Sequence, residues 1–517
     1  MMLMAIAYGL VGGPRCASAA EVDANPDPAF DVLEYRVEGN SVLSQLAIER
    51  AVYPFLGEKR RIADVEKARA ALEKAYHDAG YATVIVDVPV QKVRDGSVLL
   101  KVTEGRVERA RATGTRYYAL GNILERAPSV AQGEVPFFPE VRAELDRLNR
   151  GADRRVTPVL RPGTAPGTTE IELKVEDKLP LHGSLELNNR YSPNTTHARL
   201  AAGLRYDNMF DRDHSLALQA QVSPRDTSEV RALVTTYSIP LGDGAFYGYW
   251  VASNSNVAAV SDVTVLGKGQ IFGLRRNWSL AGSGSLSHAF TAGVDYKTFD
   301  ENVTQPGTPG LKTPIHYLPF SLDYSGSLQQ AASTTQYSLA TVFSLRNVGN
   351  NAEDFENKRF KAEPNFAVLR WDLQHTHNLP AGFTAAARVD GQATEQALIS
   401  NEQFFAGGLM SVRGYLESEA LGDEGVHGSL ELRSPALAGE GRLDLRLFGF
   451  AEGAQVWLRD PLPEQKSRFT LSSLGMGLRA KALQAVELWL NVAWPLKSTT
   501  YTLAHHPRVQ FSIVGRF

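Results

Sequence analysis

The chain has 517 residues, enough for more than one domain, and its 54 basic and 57 acidic side chains leave a formal net charge of -3, which gives no electrostatic footprint for nucleic acid. Hydrophobic residues make up 43%, yet no run approaches the ~18 apolar residues of a spanning helix, so a helical membrane protein is excluded. A membrane β-barrel is not excluded, because lipid-facing and lumen-facing side chains alternate along its strands and give a soluble-looking average.

Residues 1–20, MMLMAIAYGLVGGPRCASAA, combine an apolar run, a Gly-Gly-Pro break and small residues at Ala17 to Ala20, the pattern of a secretory signal cleaved near Ala19 or Ala20. A basic n-region is missing, and the alternative is a short buried strand. Cys16 is the only cysteine and would leave with the signal, so no disulfide is expected in the mature chain. Residues 21–29 form a short linker.

Residues 30–104 read as strand, helix, helix, strand, strand. Leu33, Tyr35 and Val37 alternate, and Ser44 can cap a helix running to about Leu56. Val65, Ala68, Leu72, Ala75 and Ala79 give a second helix stopped by Gly80. Val84, Val86, Val88 and Val90 alternate, Asp95-Gly96 turns, and Val98, Leu100 and Val102 alternate back. Residues 105–178 repeat the order more loosely: a strand at 107–112, helices at 122–129 and 138–149, and strands at 155–160 and 169–175. Two tandem copies of one small α+β unit suggest a modular arm.

From Leu181 the helical period disappears and short alternating runs take over, such as Leu200, Ala202, Leu204 and Tyr206 opposite Arg199 and Arg205. Aromatics gather near the run ends (Tyr247, Tyr249, Trp250, Trp278, Trp371, Trp457, Trp489, Trp494), as an interfacial girdle would require. A soluble sandwich gives the same alternation. The terminal RVQFSIVGRF favours a barrel: Val509, Phe511, Ile513, Gly515 and Phe517 share one face up to the last residue, as a closing strand needs. At about twenty residues per tilted strand and loop, residues 179–517 hold roughly sixteen antiparallel transmembrane strands.

Catalytic chemistry has little support, and the chain is expected not to be an enzyme. Gly267-Lys268-Gly269 lacks the rest of a phosphate-binding loop, no Gly-x-Ser-x-Gly elbow appears, and the eleven histidines are scattered without cysteines. No metal, nucleotide or other cofactor is expected.

Several ordered motifs together resemble the TpsB outer-membrane transporters of two-partner secretion. They are Arg154 to Gly163 (RRVTPVLRPG) with Pro166-Gly167, Leu173 to Asp177 (LKVED), Val412-Arg413-Gly414-Tyr415, Gly422-Asp423, Glu431 to Pro435 (ELRSP) and the terminal Phe517. The resemblance implies two periplasmic POTRA domains followed by a sixteen-strand barrel in the Gram-negative outer membrane, exporting an unfolded TpsA-type exoprotein. It implies that a loop at 405–428 folds into the lumen and carries Arg413 to an acid in a stretch that commonly reads Phe-x-Asp-x-Gly. Here that stretch is Phe448 to Gln455 (FGFAEGAQ), so Glu452 stands where aspartate is usual and the glycine lies one place earlier.

A guanidinium in a narrow lumen keeps its charge at any pH, and a carboxylate can hold it through two parallel hydrogen bonds. The competing reading of Arg413 is an ordinary surface arginine in a loop. The cargo is expected to add to a POTRA sheet edge through main-chain hydrogen bonds. The strand with Val84, Val86 and Val88 is the candidate, since Pro89 is tolerated at an edge; a fully paired inner strand is the alternative. Phe511, Ile513 and Phe517 are candidates for the signal read by the barrel-assembly machinery. Residues 21–29 are too short for a helix and linker through a barrel ~30 Å tall, so no N-terminal plug is expected and occlusion falls to the 405–428 loop alone. The rival functions are a factor that inserts other barrels and a passive porin or adhesin-like barrel.

Overall fold

The computed structural model describes residues 29–517, apart from 256, 261–262, 304–310, 439–442 and 484. The signal at 1–20 and nearly all of the linker at 21–29 lie outside the described residues. Two compact units divide the chain at Asp177/Lys178.

The N-terminal unit holds two small sheets of the same order. In the first, Ser97–Thr103 is the central strand, parallel to Glu34–Glu38 and antiparallel to Ile85–Asp87. Helices Gln45–Val52 and Ile62–Asp78 supply Ile48, Val65, Ala68 and Leu72 to a core with Val84, Val86, Val98 and Leu100. Ser44 caps the first helix as expected, its side chain accepting from the Ala47 amide, and a 3-10 turn at Tyr53–Phe55 ends it. Gly80, at φ +102°, follows the second helix. A separate pairing of Phe30–Val32 with Gly57–Arg60 is additional to the expected order. The second sheet runs Arg106–Thr113, Thr168–Asp177, Arg154–Pro162, with helices Leu120–Glu125 and Phe138–Leu148 packed through Ile123, Val141 and Leu148.

The C-terminal unit is a closed antiparallel barrel. Leu286–Val303 pairs with both Leu311–Tyr317 and Pro319–Gln329, which are two halves of one strand interrupted at Leu318, so the barrel has sixteen strands. It closes where Arg508–Arg516 meets Leu181–Asn188, from Ser512↔Asn188 to Arg516↔Ser184. Leu430 is 64% exposed and Leu432 51%, while Glu431 between them is 8%. That alternation puts an apolar face outward and the charges inward, an exterior only lipid can cover. Trp489, placed by its sequence position in the girdle, faces inward instead: its ring stacks on the Arg479 guanidinium at 4.5 Å. One short helix, Ala352–Lys358, capped by Asn351, lies in the loop between Ser333–Ser344 and Ala367–Asn378. At two turns it is too short for its period to show among alternating strands.

Candidate functional site

The chain from Thr394 to Glu424 leaves the rim opposite the one where Leu181 and Phe517 lie and folds back into the barrel. Phe404–Ala406 pairs with Ala420–Gly422 to make a hairpin stem. Residues 424–428, placed in this loop by the sequence, already belong to the barrel strand Glu424–Arg433. At the hairpin tip Arg413 is 3% exposed. Its Nε donates to Glu452 Oε1 at 2.8 Å, and Nη2 lies 2.5 Å from the same oxygen. Its amide donates to Glu452 Oε2 at 2.7 Å, and its Nη1 to Glu431 Oε2 at 2.9 Å. The guanidinium sits 3.5 Å from the centroid of the Phe450 ring, a cation–π contact that shields the pair from water. The expected Arg413 and Glu452 are thus brought together, and Glu431 joins them.

Glu431 is a hub. Its Oε1 also accepts from Arg433 Nε and Arg479 Nη2, each at 2.7 Å. Glu452 is held by fewer residues: Arg413, through its amide and guanidinium, and Ser429 Oγ at 3.2 Å. The neighbours in the motif fix the tip. Val412 is fully buried with Ala454, Val456 and Leu471. Gly414, at φ +92°, donates its amide to Gln510 Oε1 at 3.0 Å, and an added Cβ would come within 3.1 Å of Ala493. Tyr415 is fully buried, its hydroxyl facing the carbonyls of Ser472 at 3.1 Å and Lys497 at 2.8 Å.

A family model for the haemolysin secretion/activation proteins ShlB/FhaC/HecB matches residues 167–480, and one for the ShlB-type POTRA domain matches residues 30–105. The chain belongs to the haemolysin secretion/activation family. It is 23% identical over 423 residues to the outer membrane transporter CdiB of Dickeya dadantii, covering 78% of this chain and 72% of that one. It is 22% identical over 467 residues to the heme/hemopexin transporter protein HuxB of Haemophilus influenzae, covering 86% and 79%. The solved structure of CdiB from Escherichia coli superposes with a TM-score of 0.67 at 18% identity, covering 97% of this chain and 93% of that one, and so shares its fold. This member of the family is an outer-membrane transporter of the two-partner secretion type, with its POTRA region in the periplasm.

In this secretion/activation protein the tip is one of several anchors. Glu402, 1% exposed, meets Lys297 Nζ at 2.5 Å and the Tyr317 hydroxyl at 2.7 Å. Glu417 meets Arg190 at 3.1 Å, and Glu419 accepts from the Thr499 and Thr502 hydroxyls. Asp423, fully buried, accepts from both terminal nitrogens of Arg359, Nη2 at 2.7 Å, and from the amides of Leu398 and Arg459. Arg359 ends the Ala352–Lys358 helix, and Phe355 and Phe366 pack with Tyr317, Phe299, Leu398 and Ile399 against the inner wall. Occlusion by the 405–428 loop alone is therefore corrected: the 345–366 loop also folds inward and is tied to it through Arg359 and Asp423.

The remaining candidates are placed as follows. Val509, Ile513 and Phe517 are exposed on the outer face and Phe511 is half-buried. The Phe517 amide and carbonyl both bond Gly183 at 3.0 Å, and its ring lies where a Cβ on Gly183 would be, within 2.0 Å. Val84 and Val86 are fully buried and Val88 is half-buried, so their side chains serve the POTRA core and only their main chain faces the edge. Ile85–Asp87 pairs on one side only. Pro89 follows the end of the ladder, where the Gln91 side chain takes over the amide and carbonyl of Leu99. Glu431 lies in the ELRSP motif, but its role was missed. Strand register would have found it, since Ser429 pairs with Glu452 and Glu431 with Phe450, on the same inward face.

Proposed function

We propose that this transporter receives its partner exoprotein unfolded at the periplasmic POTRA region and threads it through the barrel past the 395–423 loop. The Arg413–Glu452 pair, shared with Glu431, sets the loop's docked state. The observation that carries the reading is the position of Arg413: a fixed positive charge held inside the bore by two carboxylates that come from the wall.

The wall carboxylates have other uses only in part, so the loop can undock and redock without leaving Glu431 unpaired: Arg433 and Arg479 remain on it. The other anchors, Glu402, Glu417, Glu419 and Asp423, keep the hairpin in the lumen when the tip pair alone is broken. Arg413→Ala should accordingly cut secretion of the partner severalfold while the resting conductance in planar bilayers changes little. Unchanged secretion would remove the tip pair from the mechanism.

Recognition is assigned to the first POTRA unit through a sheet edge, as main-chain pairing suits an unfolded cargo of little fixed sequence. Deleting residues 30–104 should abolish secretion while the barrel still inserts. A deletion mutant that secretes normally would end this assignment. The barrel-insertion reading is the weaker one, since both family models and the curated relatives are of the secretion type. Loss of one secreted protein, without a general fall in outer-membrane barrels, separates the two.

A further inference from the structure

Both periplasmic units present the same kind of sheet edge, the strand that follows the second helix, but the two edges are covered differently. Along an antiparallel pair, successive residues turn N–H and C=O toward the partner strand and then away from it. In the first unit Val86 is turned away from Ser97–Thr103, and both its main-chain groups are already taken by side chains of the helix Ile62–Asp78. Its N–H donates to Glu73 Oε2 at 3.1 Å and its C=O accepts from Arg69 Nη1 at 3.2 Å. Those two side chains are joined to each other at 3.0 Å. His77 Nε2 lies 2.9 Å from the carbonyl oxygen of Val84, the outward-turned residue before it. A carboxylate and a guanidinium thus stand where an added strand would place its own carbonyl and amide.

In the second unit Asn149 covers Val156 in the same way. Its Nδ2 donates to the Val156 carbonyl at 3.0 Å and its Oδ1 accepts from the Val156 amide at 2.6 Å. The unbroken register of Arg154–Pro162 then makes Pro158 and Pro162 outward-turned as well. Proline has no N–H, so this edge cannot donate at those positions, one of the means by which edge strands resist pairing.

We propose that the edge Thr83–Val90 is the docking strand for an extended segment of the exported protein, that Arg69 and Glu73 are a displaceable cap holding that place when it is empty, and that the second unit's edge is closed. The proposal rests on the reading that the POTRA region receives the cargo. The cap is built to move. Both side chains are 27% exposed, and Arg69 keeps Glu66 as a partner at 2.8 Å when it leaves Val86. Asn149 is short, and it cannot withdraw without losing both bonds at once. Ile85, 54% exposed, and Val90, fully exposed, flank the first edge and give the incoming strand apolar contacts at its outer face. Recognition is then of extended main chain with alternating apolar side chains.

The test uses the full-length transporter in detergent and, as probe, the purified N-terminal segment of the secreted protein whose export depends on it. Glu73→Ala and Arg69→Ala each remove half of the cap at the surface and should raise the affinity for the segment at least threefold. Asn149→Ala should leave it unchanged. Adding the segment to wild-type transporter should slow amide exchange along 84–88 and not along 154–162. Affinity that is unchanged or weaker in Glu73→Ala, or protection that falls on 154–162, overturns the cap. A segment that binds neither wild type nor variants, while secretion still depends on the chain, removes POTRA recognition itself and the cap with it.

Discussion

Arg413→Ala and Glu452→Ala should not be equivalent, and the difference follows from who else touches each group. Removing Arg413 leaves Glu452, whose side chain is 4% exposed, with the Ser429 hydroxyl and one backbone amide. An orphaned buried charge costs about 3–5 kcal/mol, and the lower figure already shifts docking of the loop tip more than a hundredfold at about 1.4 kcal/mol per tenfold, while the anchors nearer the stem hold the rest of the hairpin in the lumen. Removing Glu452 leaves Arg413 paired with Glu431 at 2.9 Å and stacked on Phe450, so the loss should fall nearer ~1.5–3 kcal/mol, that of a hydrogen bond to a charged group. The double variant removes the orphan as well as its partner and should be milder than Arg413→Ala alone. Thermal unfolding of the barrel, read as the folded-to-unfolded shift on gels, ranks the four proteins, and protease cleavage near Ser411 reports undocking. If Glu452→Ala proves as damaging as Arg413→Ala and the two effects add, Glu431 does not share the arginine and the argument fails.

Other outcomes can be stated from the same contacts. Arg359→Ala leaves the fully buried Asp423 without its cation, so it should raise resting conductance and expose the 345–366 loop to protease, with partial recovery in Arg359→Lys; unaltered conductance would separate that loop from the closure. Gly183→Val drives a side chain into the Phe517 ring at the barrel seam and should lower the unfolding temperature by several degrees, whereas the same change at Gly515, on the neighbouring closing strand where nothing lies within reach, should not. Glu108, in the second periplasmic unit, is held down to about 2 by hydrogen bonds from the Thr164 and Thr168 hydroxyls and the Ala165 amide. Its folded value lies below the ordinary glutamate value of ~4.3, so its stabilisation of the 163–167 turn is present above that value and is lost as pH falls toward 2. Amide exchange across that turn should speed up over this window, and Glu108→Gln should flatten the dependence.

Strand alternation reads well from sequence because it is a two-residue period repeated in every barrel strand, and the closing strand announces itself by carrying Val509 to Phe517 on one face. Arg413 and Glu452 were legible through the resemblance to the transporter family, whose loop and wall motifs carry them; taken alone, Gly414 marks only a bend. Glu431 was not, because its partner depends on which strands lie side by side. Arg359 and Asp423 are 64 residues apart in sequence and meet only when two loops fold inward together. The Ala352–Lys358 helix had only its Asn351 cap and first-turn acids to reveal it. The named valines of the POTRA edge show a further limit: alternation finds the inward side chains, while the groups offered at an edge are main-chain atoms that carry no sequence signal.

Passage of the partner through the bore can be tested by placing a photo-cross-linking residue at Ser338 or at its neighbour Leu339 and arresting a cargo in transit with a folded domain at its C-terminus. Ser338 pairs with Ser325 and Asp372, whose carboxylate bonds Arg388 on the inner wall, whereas Leu339 is 50% exposed to the outside. Arrested cargo should cross-link to the transporter at position 338 and not at 339. Secretion that continues with cross-links only at 339 would place the exported chain outside the barrel and contradict the account.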